Sequence, residues 1–272
     1  MDYKLPKRIE NSNKATYGRV LNIAGSDYMP GAAYLSSVSA LMVGCGYCFL
    51  ASTERVINAV AAQTQNIVFL PLSDIVDNLQ IADVVEFGCG LSQDKTAVDI
   101  FDNVIENIPQ HTPFIIDADG LNILSKNSGT FKNREFSNVI LTPHPKEASR
   151  LLGCSLDDVL ADIEGAAFNI CEKYHCVTVL KSHKTFVASY DGQSYLNNTG
   201  NNSMAKAGSG DVLAGMISGF AAQGMALFEA AVLGVYLHGL DGDLAKNDLT
   251  EYSVMAADLI RYIPRSILTL AD

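Results

Sequence analysis

Positive charge is what this sequence has least of. Lysine and arginine total 19 against 30 aspartates and glutamates in 272 residues, a net charge of −11. That balance argues against general binding of nucleic acid or of an anionic membrane, although a local site can still oppose the global sign. No apolar stretch follows the early lysines of MDYKLPKRIENSNK, so no secretory signal is expected. No run approaches the roughly 18 apolar residues that a membrane-spanning helix needs. Linkers, low-complexity tracts and internal repeats are also missing, which predicts a single domain over residues 1–272. The six cysteines (Cys45, Cys48, Cys89, Cys154, Cys171 and Cys176) and five histidines show no zinc spacing. The cysteines read as dispersed, with no C-x-x-C pair among them, and as buried, reduced thiols of a cytoplasmic protein, with no structural metal expected.

What is present is globular: 48% hydrophobic and 18% charged residues. Short apolar runs alternate with helical spacing. RVLNIAG, YCFLAS, NIVFLPL, ADVVEFG, TPFIIDADG, NVILTPHP and VTVLKS read as strands, and KTFVAS with GQSYLN as a strand pair. Between them, residues 31–44, ERVINAVAAQ, SDIVDNLQIA, KTAVDIFDNVIENI and LDDVLADIEGAAFNICEKYH read as helices, the last as one long helix. From Val212 onward the pattern is mostly helical. This alternation predicts an α/β fold, a mainly parallel sheet with helices on both faces and antiparallel strands toward one edge. Ligands bind such sheets beyond the carboxyl ends of the strands. Polar clusters fall there: Gly25-Ser26-Asp27, Gly88-Cys89-Gly90, Asp117-Ala118-Asp119, Thr142-Pro143-His144-Pro145 and Lys181.

The most informative stretch is NNTGNNSMAKAGSGDVLAGMISGF, Asn197 to Phe220. Val212, Leu213, Met216, Ile217 and Phe220 mark one apolar helical face, with Gly215 and Gly219 as a smooth strip for a close neighbour. The helix should begin near Gly210, and its unpaired N–H groups and dipole make a cradle for an anion. Gly208 and Gly210 let a phosphate reach the backbone. Asp211 in the first turn is a candidate general base. The plainer alternative is that Ser209 or Asp211 only caps the helix. The dense turn residues before it, Asn198 to Asn202, favour a ligand loop.

TGNNSMAKAGSGDVLAGMISG resembles the signature of the ribokinase-like superfamily, a three-layer sandwich, and more specifically that of the ADP- or ATP-dependent NAD(P)H-hydrate dehydratases. TYGRVLNIAGSDYMPGAAYLSSVSALMVGCG, IIDADGLN, LTPHPKEASRLLG and VLKSHKT resemble the family's other motifs, in order, from about Tyr17 to His238. The resemblance implies a carbon–oxygen lyase that restores NADH or NADPH from its C6-hydrated form, NADHX or NADPHX, acting on the S epimer. ADP or ATP phosphorylates the C6 hydroxyl and phosphate then leaves. Asp211 would deprotonate that hydroxyl, with the backbone from Ala207 through Gly208 to Gly210 stabilising the transferring group. Lys181, Ser182, His183, Lys184 and Thr185, with Asn201 and Gly210, would hold the nucleotide. Ala32, Gly90 and His144 would face the hydrated dinucleotide.

Mg²⁺ is the implied cofactor, with Asp117 and Glu147 as ligands only through water. Asp117 and Asp119 could equally cap the next helix. The chain departs from the family pattern at Ser209, Ala207, Ser182 and Cys89. A homo-oligomer, of which a tetramer is one form, and a separate epimerase are further implications. A small-molecule kinase of the same fold, acting on a hydroxymethylpyrimidine, a thiazole alcohol or a sugar, is the alternative.

Overall fold

The computed structural model describes residues 4–127, 131 and 138–270. Nine strands form one sheet in the order β3-β2-β1-β4-β5-β6-β7-β8-β9. They are β1 (Arg19–Ile23), β2 (Tyr47–Ser52), β3 (Val68–Pro71), β4 (Val84–Phe87), β5 (Phe114–Ile116), β6 (Val139–Leu141), β7 (Val177–Leu180), β8 (Phe186–Ser189) and β9 (Ser194–Leu196). The first seven pair in parallel, and β7–β8 and β8–β9 are antiparallel. Thus the strand pair read from KTFVAS and GQSYLN lies at one edge, as expected.

The α-helices bounded within the described residues are α1 (Pro30–Met42), α2 (Glu54–Ala61), α3 (Ile75–Leu79), α4 (Lys95–Asn107), α5 (Ala118–Lys126), α6 (Pro145–Leu152), α7 (Leu156–Ala161), α8 (Ile163–Tyr174), α9 (Ser209–Ala222), α10 (Leu227–Leu249) and α11 (Ala256–Leu268). They cover both faces. Side chains of a strand alternate between faces. Hence Phe114 and Ile116 join Leu21, Ile23, Val85 and Phe87 in one core with Phe101 of α4 and Ile170 of α8. Ile115 joins Val20, Val84, Ile140 and Val179 in another, under α9, α10 and α11. Strands β4 to β7 are buried at every position, which is why they read as apolar runs, interrupted only by Glu86 and Thr178.

Three readings need correction. The long helix expected over residues 156–175 is two helices, α7 and α8, broken at Asp162. Its carboxylate accepts a bond from Gly165 N at 2.8 Å and starts a new helix, although the hydrophobic spacing continues across the break. The helix read from SDIVDNLQIA shrinks to a 3₁₀ turn, Leu72–Asp74, followed by the short α3. The cysteines are not all dispersed and buried. Cys45-Gly46-Tyr47-Cys48 has C-x-x-C spacing, with both thiols buried, and Cys154 is exposed. Burial pushes the Cys45 thiol up to about 12, so this pair lacks the thiolate character of a redox motif. The polar start of the chain is tied down: Arg8 Nη2 donates to Gly44 O at 2.5 Å, and its guanidinium lies 4.0 Å from the Tyr17 ring centre.

α9 lies against α1 along the glycine strip. A Cβ at Gly215 would stand 2.0 Å from Ser36 O, and one at Gly219 2.5 Å from Ala40 O. Gly215→Val therefore forces the two helices apart. The expected cost is about 3 kcal/mol, at the upper end of overpacking penalties, read as a lower urea midpoint.

Candidate active site

The carboxyl ends of the parallel strands converge as the topology requires. After β1, Gly25 N donates to Cys89 O at 2.8 Å, which ties the first polar cluster to the second. After β4, Gly88 has a φ of +119°, and a Cβ there would fall 2.1 Å from Asp117 O. Only glycine lets this turn press against the next strand end. A Cβ on Gly90 would meet that of Ala32 at 2.6 Å, so Ala32 and Gly90 form one tight wall.

Asp117 sits at the end of β5, its side chain 2% exposed. Its Oδ1 accepts from Lys181 Nζ and from Thr142 Oγ1, both at 2.6 Å. Lys181 comes from the end of β7, and its backbone N–H donates to Pro143 O at 2.8 Å. Burial works against the Lys181 ammonium, but Asp117 and Glu147 outweigh it and raise its pKa.

Above this pair stands the start of α9. Gly208 takes the left-handed conformation at its N-cap, φ +94°, with no side-chain cap. The helix begins at Ser209, one residue before the expected Gly210. A Cβ on Gly210 would lie 3.4 Å from Lys181 Nζ and 3.8 Å from Asp117 Oδ2. Ser209 N already donates to Lys206 O at 3.3 Å, so it is the rest of the first turn of α9 that borders one space with the Lys181 ammonium, an arrangement that suits an anion. Asp211 shares it: one ligating atom each of Cys89, Asp117 and Asp211 lie within 4.8 Å of one another. Burial, then the Asp117 charge, pushes the Asp211 carboxyl up to about 6, against the Cys89 hydrogen bond and the Lys181 charge. Asp211 does not cap the helix with a bond of its own. Its pKa suits a base working near neutrality.

The other expected residues are placed as follows. His144 caps α6. Its Nδ1 accepts from Lys146 N at 3.1 Å, its Nε2 lies 3.1 Å from Glu147 Oε1, and its N–H donates to Glu147 Oε2. Both ring nitrogens are thus engaged, while 45% of the side chain stays exposed at the rim. Residues 182–184 form a turn after Lys181 in which Ser182 Oγ donates to Lys184 O at 2.6 Å. His183 and Lys184 are exposed, and Thr185 is partly buried. Asn201 spends its side chain on the loop: Oδ1 accepts from Ser203 N and Ser203 Oγ, and Nδ2 donates to Asp243 Oδ1. Asp119 accepts from Ser92 N and Gln93 Nε2 and turns away from Asp117.

The sequence reading missed three groups. Asp243 of α10 anchors the asparagine-rich loop, also accepting from Gly200 N at 2.9 Å. His238 of α10 lies 3.3 Å from Ser209 Oγ, and burial drives its pKa down to about 4, so it is a neutral support for the α9 start. Glu86 is fully buried beneath Cys89. Its only signal was an acidic residue within an apolar strand.

The chain matches the sequence model of the NAD(P)H-hydrate dehydratases over residues 20–265. It is 39% identical to an ADP-dependent (S)-NAD(P)H-hydrate dehydratase of Neisseria meningitidis, over 88% of this chain and 81% of that one. It is 35% identical to a bifunctional NAD(P)H-hydrate repair enzyme of Moorella thermoacetica over 99% of its own length, and spans 53% of that longer protein. Its structure superposes on an ADP/ATP-dependent NAD(P)H-hydrate dehydratase of Bacillus subtilis crystallised with ATP and Mg²⁺, with a TM-score of 0.87, 32% identity and 98% and 94% of the two chains covered. The sheet order and helical layers are those of the ribokinase-like superfamily. The family model, the relatives and the fold agree: the chain belongs to the NAD(P)H-hydrate dehydratase family.

Proposed function

We propose that this protein restores NADH and NADPH from the S epimer of their C6-hydrated forms, with ADP or ATP as phosphoryl donor. The observation that carries this reading is Asp211: a half-buried carboxylate pushed up to about 6, placed in the first turn of α9 beside the pair that Lys181 makes with the buried Asp117. The hydrated ring lies against Ala32 and Gly90, with His144 at the rim. The nucleotide follows residues 181–185, with Asn201 holding the adjoining loop, and its transferring phosphoryl group faces the backbone N–H groups of Gly208 and Gly210. Asp211 takes the C6 hydroxyl proton as oxygen attacks phosphorus. Lys181 and the helix N-terminus stabilise the charge that develops on the phosphoryl oxygens. Phosphate then leaves and the ring double bond returns.

Asp117 and Glu147 do not build a Mg²⁺ cage. Asp117 Oδ1 is taken by Lys181 and Thr142, and both Glu147 oxygens by His144. Mg²⁺ tolerates few protein carboxylates and prefers phosphates and water. In this reading it travels with the nucleotide and needs no direct protein ligand.

Residues 1–272 act as one catalytic domain in the cytoplasm, in a homo-oligomer of which a tetramer is one form. None of the described helices is long and apolar enough to cross a membrane.

The test is incubation with hydrated NADH, Mg²⁺ and either nucleotide, following the reduced-nicotinamide absorbance and free phosphate. The expected result is nucleotide-dependent recovery of absorbance with one phosphate released per turnover. A stable phosphate ester of an alcohol, without phosphate release, would instead establish the small-molecule kinase.

A further inference from the structure

Beneath the rim, between the sheet and the α1–α9 layer, the apolar packing is interrupted by two residues. Asn22 of β1 and Glu86 of β4 are direct partners in the parallel register, and both are fully buried. Register partners on neighbouring strands point to the same face. Asn22 Nδ2 donates to Ser36 Oγ at 2.7 Å and to Ser37 Oγ at 2.9 Å, which leaves Oδ1 without a partner. Glu86 Oε1 accepts from the Cys89 thiol at 3.6 Å, and Oε2 has no partner. Two neighbouring side chains thus each present an orphaned acceptor, and each orphan is costly in a dry interior. The two orphans sit on register partners of one sheet face, so one proton on Glu86 Oε2, shared with Asn22 Oδ1, would satisfy both.

The charges around Glu86 point the same way. Asp117 from the end of β5 and Asp211 from α9 both disfavour its ionisation, and burial does so most. Cys45 and Cys48 lie on the β2 side and interact with it as potential anions. Ser218 of α9 and Cys89 offer hydrogen bonds, but neither carries positive charge. The nearest ammonium of the site, Lys181, is committed to Asp117. The Cys89 thiol is the link to the reacting groups: its Sγ lies 3.8 Å from Asp117 Oδ2 and within 4.8 Å of an Asp211 carboxylate oxygen.

We propose that Glu86 is a positioning residue for Asp211: it stands as a neutral acid sharing its proton with Asn22, holds the Cys89 thiol beneath the Asp117–Asp211 pair, and shuts the site when it ionises. Ionisation draws the thiol proton down toward Glu86. It also adds a third carboxylate charge under the place where phosphoryl oxygens must sit. The Glu86 carboxyl is pushed up to about 8, so the loss falls on the alkaline side of the rate profile.

This inference rests on Asp211 as the base of the proposed dehydration, and two readouts keep the two apart. In the infrared, wild-type protein at neutral pH should show the carbonyl stretch of a protonated carboxylic acid that fades as pH passes about 8 and is missing from Glu86→Gln. That measurement needs no turnover. In kinetics, the nucleotide-dependent rate of the wild type should fall about tenfold one pH unit above the midpoint, as a single titration requires. Glu86→Gln should stay level over the same range, and Cys89→Ala, which keeps the Glu86 charge and breaks the thiol link, should leave a shallower limb. An unchanged alkaline limb in Glu86→Gln, or no acid band assignable to Glu86, overturns the proposal. Should hydrated cofactor not be turned over at any pH, the dehydratase reading falls, and the infrared titration decides the state of Glu86 by itself.

Discussion

Asp211→Asn should lower nucleotide-dependent dehydration by a factor of about 10² to 10⁴, the usual worth of a positioned general base, while making the folded protein more stable. The sign of the second effect follows from linkage. The Asp211 carboxyl ionises near 3.8 when unfolded and near 6 in the folded chain. The folded state therefore holds the proton more tightly. Stability is complete below pH 3.8 and declines as pH rises toward 6, beyond which the cost is constant at about 3 kcal/mol. Asparagine keeps the shape and removes the charge, so the gain should be present at pH 7 and absent at pH 3.5. A rise of several degrees in Tm at pH 7 is the expected reading. The wild-type rate should also lose its acid side with a midpoint near 6. Asp211→Asn with wild-type turnover would remove the base from the mechanism.

Lys181→Met should be the most damaging single change at the site. It leaves the Asp117 carboxylate, 2% exposed, without its cation. Breaking a buried ion pair from one side costs about 3 to 5 kcal/mol, because the remaining charge is left uncompensated. Lys181 also lowers the Asp211 pKa, so its loss should move the acid limb of any residual activity above 6. The double variant Lys181→Met, Asp117→Asn removes the stranded charge and retains a partner for Thr142. It should recover most of the lost stability in urea unfolding and none of the activity. Equal stability of the single and double variants would mean that the lysine acts through packing and not through charge.

Some of this was legible because it is local. The short apolar runs and helical spacings place all nine strands and most helices, and the glycine strip of Gly215 and Gly219 announces a close neighbour. Polar clusters at strand ends mark the rim, and Asp211 is visible as the lone carboxylate where an apolar helix face begins. Other features depend on what lies opposite in space. The asparagines of the 198–202 loop looked like ligand groups, yet Asn201 is occupied by Asp243, 42 residues away. Lys181 looked like part of a nucleotide loop, and its ammonium in fact neutralises Asp117 across 64 residues. The break at Asp162 was hidden because hydrophobic spacing runs through it, and one carboxylate bond to a backbone N–H decides where α8 begins.

The sequence by itself determined the layers, the parallel order of motifs and the face of α9, since all three follow from periodicity and turn chemistry along the chain. Only the tertiary structure decided which carboxyl is charged. Asp117 pairs with a lysine, Asp211 is lifted to about 6 by burial and by Asp117, and Glu86 is lifted to about 8 in an interior with no cation to spare. Ionisation depends on solvent and on neighbouring charge, and both are fixed only when distant segments are packed together.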